Sequence, residues 1–252
     1  MARPHLPPSR VLHHELVDST NERAFAALAA GKALHADVHV ARGQSAGRGR
    51  RGARWQSAEG QGLYASLILL PEPPAPPAPA VTMFAGLAVL DAVNELGLVG
   101  ARLKWPNDVV VHGAKLAGCL VESRGFQPDE PHFVVGIGLN VSQLTFPSEL
   151  TAEREVTSLA LEKVEATAAA ALESLLYALP RRWDQLVLRP AEQAGDYLVA
   201  ADLTGRVRVE GPAGERTGRI VALDPKAGLR LVVDGGGEEQ LALEHVRAVA
   251  RV

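Results

Sequence analysis

The chain has 252 residues, is 47% hydrophobic, carries a formal net charge of -3 and contains one cysteine. That length and apolar content suit one substantial core and a second small one. The net charge excludes a general polyanion binder, and the lone Cys119 excludes an internal disulfide and reads as core filler. The proline-rich stretch Met1 to Arg10 lacks an apolar signal core, and nowhere do ~18 uninterrupted apolar residues occur. The expectation is therefore a cytoplasmic protein with no membrane contact and a flexible segment over residues 1–10.

A short apolar strand is predicted near Val11 to Leu16. Asp18-Ser19-Thr20-Asn21-Glu22 then leads into an alanine-rich helix stopped by Gly31, with Ser19 and Glu22 reading as a capping box. Such a helix start also offers free N–H groups and two hydroxyls to a polar or anionic ligand. Asp37 to Ala41 alternates as a strand and runs into Gln44-Ser-Ala-Gly47-Arg48-Gly49-Arg50-Arg51-Gly52-Ala-Arg-Trp55. Between Ala41 and Ser57 there are five arginines and no acid. Charge this dense calls for an anion, and the chain's overall negative balance favours a small one over a long nucleic acid.

Leu63 to Leu70 reads as a buried strand, and six prolines within residues 71–79 read as a stiff surface spacer. Ala80 to Leu96 is apolar nearly all round, marking a core helix closed by Gly97. Lys104-Trp105 precedes a Pro106-Asn107-Asp108 turn, followed by strands at Val109 to Val111, Lys115 to Ser123 and His132 to Gly136. Thr157 to Gln185 is predicted mainly helical, with Pro180 ending or kinking it. Beyond Gly205, five short alternating runs separated by Gly, Pro and Asp read as a small barrel. The fold class expected is α+β: a mixed or antiparallel sheet with packed helices over residues 11–200, and a small barrel over 201–252.

Gly47 to Gly52 spells the dinucleotide fingerprint GxGxxG. It lacks the helix after the third glycine and the acid about 20 residues on that a Rossmann unit needs. No Walker pattern, nucleophile elbow or zinc-spaced His/Cys set is present. What remains is a set of polar groups at strand ends and turns: Lys104 and Trp105 before Pro106-Asn107-Asp108, Lys115, and Gly136-Ile-Gly138-Leu-Asn140. Each has a structural alternative as a tight turn, a solvated strand end or relief of crowding. Their convergence, not any one of them, argues for a site.

Taken in order, Ser19-Thr20-Asn21, Gln44 with the Arg/Gly run and Trp55, Lys104 to Asp108, Lys115-Leu-Ala-Gly118 with Glu122, and Gly136 to Asn140 resemble the biotin protein ligases. The family's further arginine two residues before the tryptophan is Ala53 here, and its DNA-binding domain has no counterpart. The resemblance implies a class II synthetase-like catalytic domain and an SH3-like C-terminal barrel. It implies ATP-dependent formation of biotinyl-5′-AMP, assisted by Mg2+, and transfer to a lysine of a biotin carboxyl carrier protein. DNA is not an expected partner, and a homodimer through sheet edges is left open. Lys115, Arg48 and Arg50 would be catalytic. Biotin would be held by Ser19, Thr20, Asn21, Gln44, Gly47, Arg48, Gly49, Arg50, Lys115, Gly118 and Gly138. ATP would be held by Arg50, Arg51, Trp55, Asn107, Asp108, Lys115 and Asn140, with Trp55 on adenine and the Arg/Gly loop ordering over the adenylate. A lipoate or octanoate ligase of the same fold and a non-enzymatic nucleic-acid-binding protein are the alternatives.

Overall fold

A computed structural model describes residues 5–7, 9–212 and 214–252. The expectation of a flexible segment lies outside the described residues at 1–4 and 8, while Leu6 is buried in the main core. Seven strands form one mixed sheet: β1 (Val11–Val17), β2 (Val38–Gln44), β3 (Gly62–Leu69), β4 (Ala101–Lys104), β5 (Asp108–Val111), β6 (Ala114–Glu122) and β7 (Phe133–Asn140). Their order is β1-β2-β3-β7-β6-β5-β4, parallel between β1 and β2 and antiparallel elsewhere.

Side-chain alternation gives the sheet two unlike faces. Leu63, Leu67 and Leu69 of β3 and Val135, Ile137 and Leu139 of β7 join the main core on one side. That side is covered by α2 (Ala78–Glu95), whose apolar residues need cover all round, with α4 (Ala168–Leu188) and α5 (Pro190–Ala200) packed behind it. Phe84 of α2 meets Trp183 of α4 edge-on, and truncating either ring would cost about 3–5 kcal/mol. The opposite face carries only α1 (Thr20–Ala29), through a small cluster of Ala24, Phe25, Ile68 and Val134. The rest of that face holds Ser66, Gly136, Gly138, Gly118 and Glu122 and carries no helix; the Trp55 ring lies against Gly118 and Gly138.

Several sequence expectations are corrected. No capping box forms: the Ser19 side chain makes no cap bond, and the Glu22 carboxylate is taken by Arg124 and Arg48. Residues 157–167 are not helical; Thr157 N–H donates to Lys115 O, and α4 starts only after Thr167, whose hydroxyl accepts from Ala170 N–H. Of the two outcomes expected at Pro180, ending α4 is excluded: the helix runs on to Leu188, with Leu179, Trp183 and Leu186 on both sides of the proline buried. The short helix α3 (Ser148–Glu153) and α5 were not foreseen, although Pro190 at the first helical positions and Glu192 in the first turn signal α5. Strand β7 extends through the Gly136 to Asn140 motif instead of stopping at Gly136.

The five C-terminal strands are β8 (Arg206–Gly211), β9 (Gly214–Asp224), β10 (Gly228–Val233), β11 (Glu238–Leu241) and β12 (Ala248–Arg251). They form an antiparallel sheet in the order β11-β10-β9-β8-β12, open between its two edges among the described residues. Its apolar residues Val207, Val209, Leu229 and Leu231 continue the main core. Trp105 is buried there, donating to Val246 O at 3.3 Å and packing edge-on against Tyr197. The Tyr197 hydroxyl in turn donates to Pro106 O at 3.0 Å, so the C-terminal sheet and α5 brace the Pro106-Asn107-Asp108 turn from behind. Among the described residues, no helix is long and apolar enough to cross a membrane.

Candidate active site

The open face of the sheet, the N-terminus of α1 and the Arg/Gly loop enclose a cavity of about 200 Å³. At one end lies a buried cluster of neutral polar side chains. Ser66 of β3 donates to Asn21 Oδ1 at 2.5 Å and lies 2.7 Å from Thr20 Oγ1, while Gln44 Oε1 accepts from Thr20 N–H at 2.8 Å. Gln44 Nε2 donates to Ser57. Ser19, Thr20, Asn21 and Ser66 are each at most 3% exposed. Polar groups are buried at such cost only when paired; Ser66 lies behind the cluster and pairs with Thr20 and Asn21, which line the cavity with Ser19 and Gln44.

The middle of the cavity is floored by glycines. Gly118 and Gly138 sit opposite each other on β6 and β7, and the Trp55 ring lies against both, so that a Cβ at Gly138 would collide with the indole. The indole Nε1 is buried with no hydrogen-bond partner among the described residues. Gly136 serves a different purpose: a Cβ there would fall 2.5 Å from Asn21 Oδ1.

The far end is cationic. Lys115 Nζ lies 2.6 Å from Asp108 Oδ1 and 5.4 Å from the centre of the Trp55 ring. A β-bulge makes this possible. Val109 pairs with Ala117 and Val110 with Lys115, leaving Leu116 as the extra residue. Lys115 and Gly118, three apart on a strand and otherwise on opposite faces, are thereby brought together, with Gly118 facing the Lys115 ammonium. Arg50 Nη1 donates to Asn107 Oδ1 at 3.2 Å and makes no ion pair among the described residues. Partial burial of its guanidinium and the neighbouring Arg51 charge lower its pKa, although an arginine stays charged regardless. Arg48 is placed differently, bridging Glu22 at 2.9 Å and Glu122 at 2.7 Å.

The loop is itself a folded turn. Gly49 N–H donates to Ala53 O and Trp55 N–H to Gly47 O, and a 3-10 turn at Arg50–Gly52 puts Arg51 at φ 55°. That conformation aims Arg51 into a groove on the outer side of the loop.

A family model described as the biotin/lipoate A/B protein ligase family matches residues 14–140, half of the chain. The chain belongs to this family. Within it, a biotin–acetyl-CoA-carboxylase ligase of Mycobacterium tuberculosis is 37% identical over 225 residues, covering 87% of this chain and 81% of that protein. The bifunctional ligase/repressor BirA of Bacillus subtilis is 37% identical over 142 residues, covering 56% of this chain but only 43% of that protein, so the chain spans less than half the length of that relative. The biotin protein ligase of Aquifex aeolicus, solved in complex with biotin and ATP, superposes with a TM-score of 0.78 at 27% identity, over 96% of this chain and 99% of that one.

Set against the expected site of a biotin/lipoate ligase, the cavity is lined by Ser19, Thr20, Asn21, Gln44, Arg48, Gly49, Arg50, Trp55, Asn107, Asp108, Lys115, Gly118, Gly138 and Asn140. Gly47 and Arg51 line the outer groove instead. Gly47 is small because the Trp55 carbonyl and Ser57 hydroxyl cross it, where a Cβ would meet both. Asn140 lines the cavity, but its amide donates to Thr157 O and its oxygen accepts from Gln143, ties that hold the strand end. Trp55 rests on the two glycines, not apart from them. Phe146, Leu150, Arg154 and Val156 complete the cationic end of the lining and were missed. Only their return to β6, through Lys115 N–H to Glu155 O and Thr157 N–H to Lys115 O, brings them there. Cys119 is buried, with its thiol pushed up to about 12 by burial, which fits packing and not nucleophilic attack.

Proposed function

We propose that the protein is a biotin protein ligase, joining biotin to ATP to give biotinyl-5′-AMP and passing the acyl group to a lysine of a biotin carboxyl carrier domain. The observation that carries this reading is the order of chemistry along one cavity: neutral hydrogen-bonding groups, then a glycine floor under an indole, then cations. That order matches a molecule with a urea head, an apolar body and a carboxylate end. A lipoyl or octanoyl group has no polar head to pair with the hydrogen-bonding groups that Thr20, Asn21 and Gln44 bring to the cavity lining, so the cluster favours biotin over the related acyl groups. The complex of the Aquifex relative with biotin and ATP supports the same assignment.

In the first step a carboxylate oxygen attacks the α-phosphorus as the bond to pyrophosphate breaks. Both reactants are anions, so the protein's part is to hold them together and neutralise the oxygens around phosphorus. Lys115 and Arg50, which line that end together with Arg154, would do this. Asn107 holds Arg50, donates through Nδ2 to Cys119 O, and so fixes the guanidinium. In the second step the acceptor amine attacks the acyl carbon and AMP leaves. Magnesium would come in on the triphosphate. Among the described residues there is no cluster of three His, Cys, Asp or Glu to cage it, which suits an ion that keeps its waters and binds through phosphate. Asp108, the carboxylate in the cavity lining, would face it.

The partner would be the carrier domain of a biotin-dependent carboxylase, in the cytoplasm, with residues 11–200 as the catalytic unit and 201–252 as an SH3-like barrel. The decisive experiment mixes the protein with biotin, ATP, Mg2+ and a carrier domain and probes for biotinyl-lysine. Labelled carrier is the expected result; absence of pyrophosphate release with biotin as the sole acyl substrate would refute the reading.

A further inference from the structure

We propose that Glu122 is a positioning residue for the biotin head group, an inference that rests on the ligase reading above. Glu122 ends β6 on the open face of the sheet and lies next to the first turn of α1. One oxygen of its carboxylate, Oε2, receives Asn21 Nδ2 at 2.7 Å and Arg48 Nη2 at 2.7 Å. A single atom thus ties the polar head-group cluster to the arginine loop.

The chemistry requires an acid there. A carboxylate can only accept, so Asn21 must turn its NH2 toward Glu122 and its oxygen toward the Ser66 hydroxyl. One of the two Nδ2 hydrogens is then used, and the other has no partner among the described residues, on a side chain that lines the cavity. That leaves a donor of fixed direction for the carbonyl of a urea. An amide at position 122 could turn its own NH2 toward Asn21 and release this orientation.

Arg48 is compensated twice, by Glu122 and by Glu22. Glu22 is itself gripped by two nitrogens of Arg124, which hold its carboxyl below the usual range. Arg48 therefore belongs to a carboxylate network beside the head group and is not spare charge for phosphate. Glu122 acts through it to fix where the loop begins, and through Asn21 to fix what the cavity offers.

The test uses biotin-dependent exchange between ATP and pyrophosphate, which reads the first step without a carrier. Glu122→Gln is isosteric and leaves Arg48 paired with Glu22, so it should lower the melting temperature by no more than roughly 2–4 °C. It should raise the KM for biotin roughly tenfold, the effect of one lost charge-assisted hydrogen bond. The KM for ATP should change by less than about twofold, since the cations at the other end are untouched. A double-mutant cycle with Asn21→Ala supplies the second criterion: if Glu122 works through Asn21, adding Glu122→Gln to Asn21→Ala should cost much less than it does in the wild type. An unchanged KM for biotin, equal rises in both KM values, or strictly additive effects would overturn the proposal. Failure of the wild-type protein to exchange with biotin would instead overturn the ligase reading.

Discussion

Replacing Lys115 by alanine separates structural from chemical roles at the cationic end of the cavity. Its ammonium sits 2.6 Å from Asp108 Oδ1, with the two side chains 17% and 22% exposed. The pair lies between the exposed kind, worth about 0–1 kcal/mol, and the fully buried kind, whose breakage costs about 3–5 kcal/mol. A loss of about 1–2 kcal/mol follows, since water can still reach the abandoned Asp108 carboxylate. In a chain of this size that lowers the melting temperature by roughly 2–8 °C, at about 2–4 °C per kcal/mol. The chemical loss is larger. Removing one group that stabilises developing negative charge costs about 10²–10³ in rate, or ~2.7–4 kcal/mol. Lys115→Ala should therefore stay folded at 25 °C while biotin-dependent ATP–pyrophosphate exchange falls by about two to three orders of magnitude. Circular dichroism melts and exchange assays on the same preparation check both. Exchange within about threefold of wild type would refute the assigned role, and a variant already unfolded at 25 °C would refute the stability reasoning.

The two loop arginines should differ. Arg50→Ala is expected to raise the KM for ATP more than that for biotin, and Arg48→Ala the reverse, because only Arg48 is held by Glu22 and Glu122; steady-state kinetics giving the opposite pattern would contradict the division. Gly138→Ala places a Cβ in the Trp55 ring, so it should raise the KM for biotin about tenfold and shift the Trp55 fluorescence, whereas unchanged values would remove the glycine floor from the site. The loop over residues 45–54 should gain protection from hydrogen exchange when biotin and ATP are added, and identical exchange with and without them would rule out its role as a cover. His14 and His39, stacked and 3.0 Å apart, both have pKa values lowered, mainly by burial; Arg23 adds to the lowering in both, and Asp37 opposes it at His39. The unfolded chain then takes up protons near pH ~6.5 that the folded one refuses, so stability is full above about 6.5 and falls below it. Urea midpoints between pH 7.5 and 5 should decline less steeply in His14→Gln, and parallel curves would show that the pair is not responsible.

The sequence was most legible where a local rule settles the matter. Alternation places Leu63, Leu67 and Leu69 on one face, all-round apolarity marks α2 as a core helix, and acid-free arginines among glycines announce an anion loop. The ordered motifs from Ser19 to Asn140 also named most of the cavity lining. Local rules fail where a distant segment competes for the same group. Ser19 and Glu22 have the letters of a capping box, but Arg124, 102 residues further on, takes the Glu22 carboxylate. Pro180 has the letters of a helix end, but burial against α2 carries the helix through it.

The chemical inventory and most of the strands and helices that carry it follow from neighbours a few residues apart and are legible in the chain. How that inventory is divided depends on contacts between distant segments. The bulge at Leu116 brings Lys115 to Gly118, and the left-handed turn at Arg51 sends that arginine to the outer side of the loop. The carboxylates of Glu22 and Glu122 separate Arg48 from Arg50, two residues identical in composition and near in sequence. The physical reason is range: a charge is assigned its work by the partners within a few ångströms, and here those partners come from strands and helices up to 74 residues away along the chain.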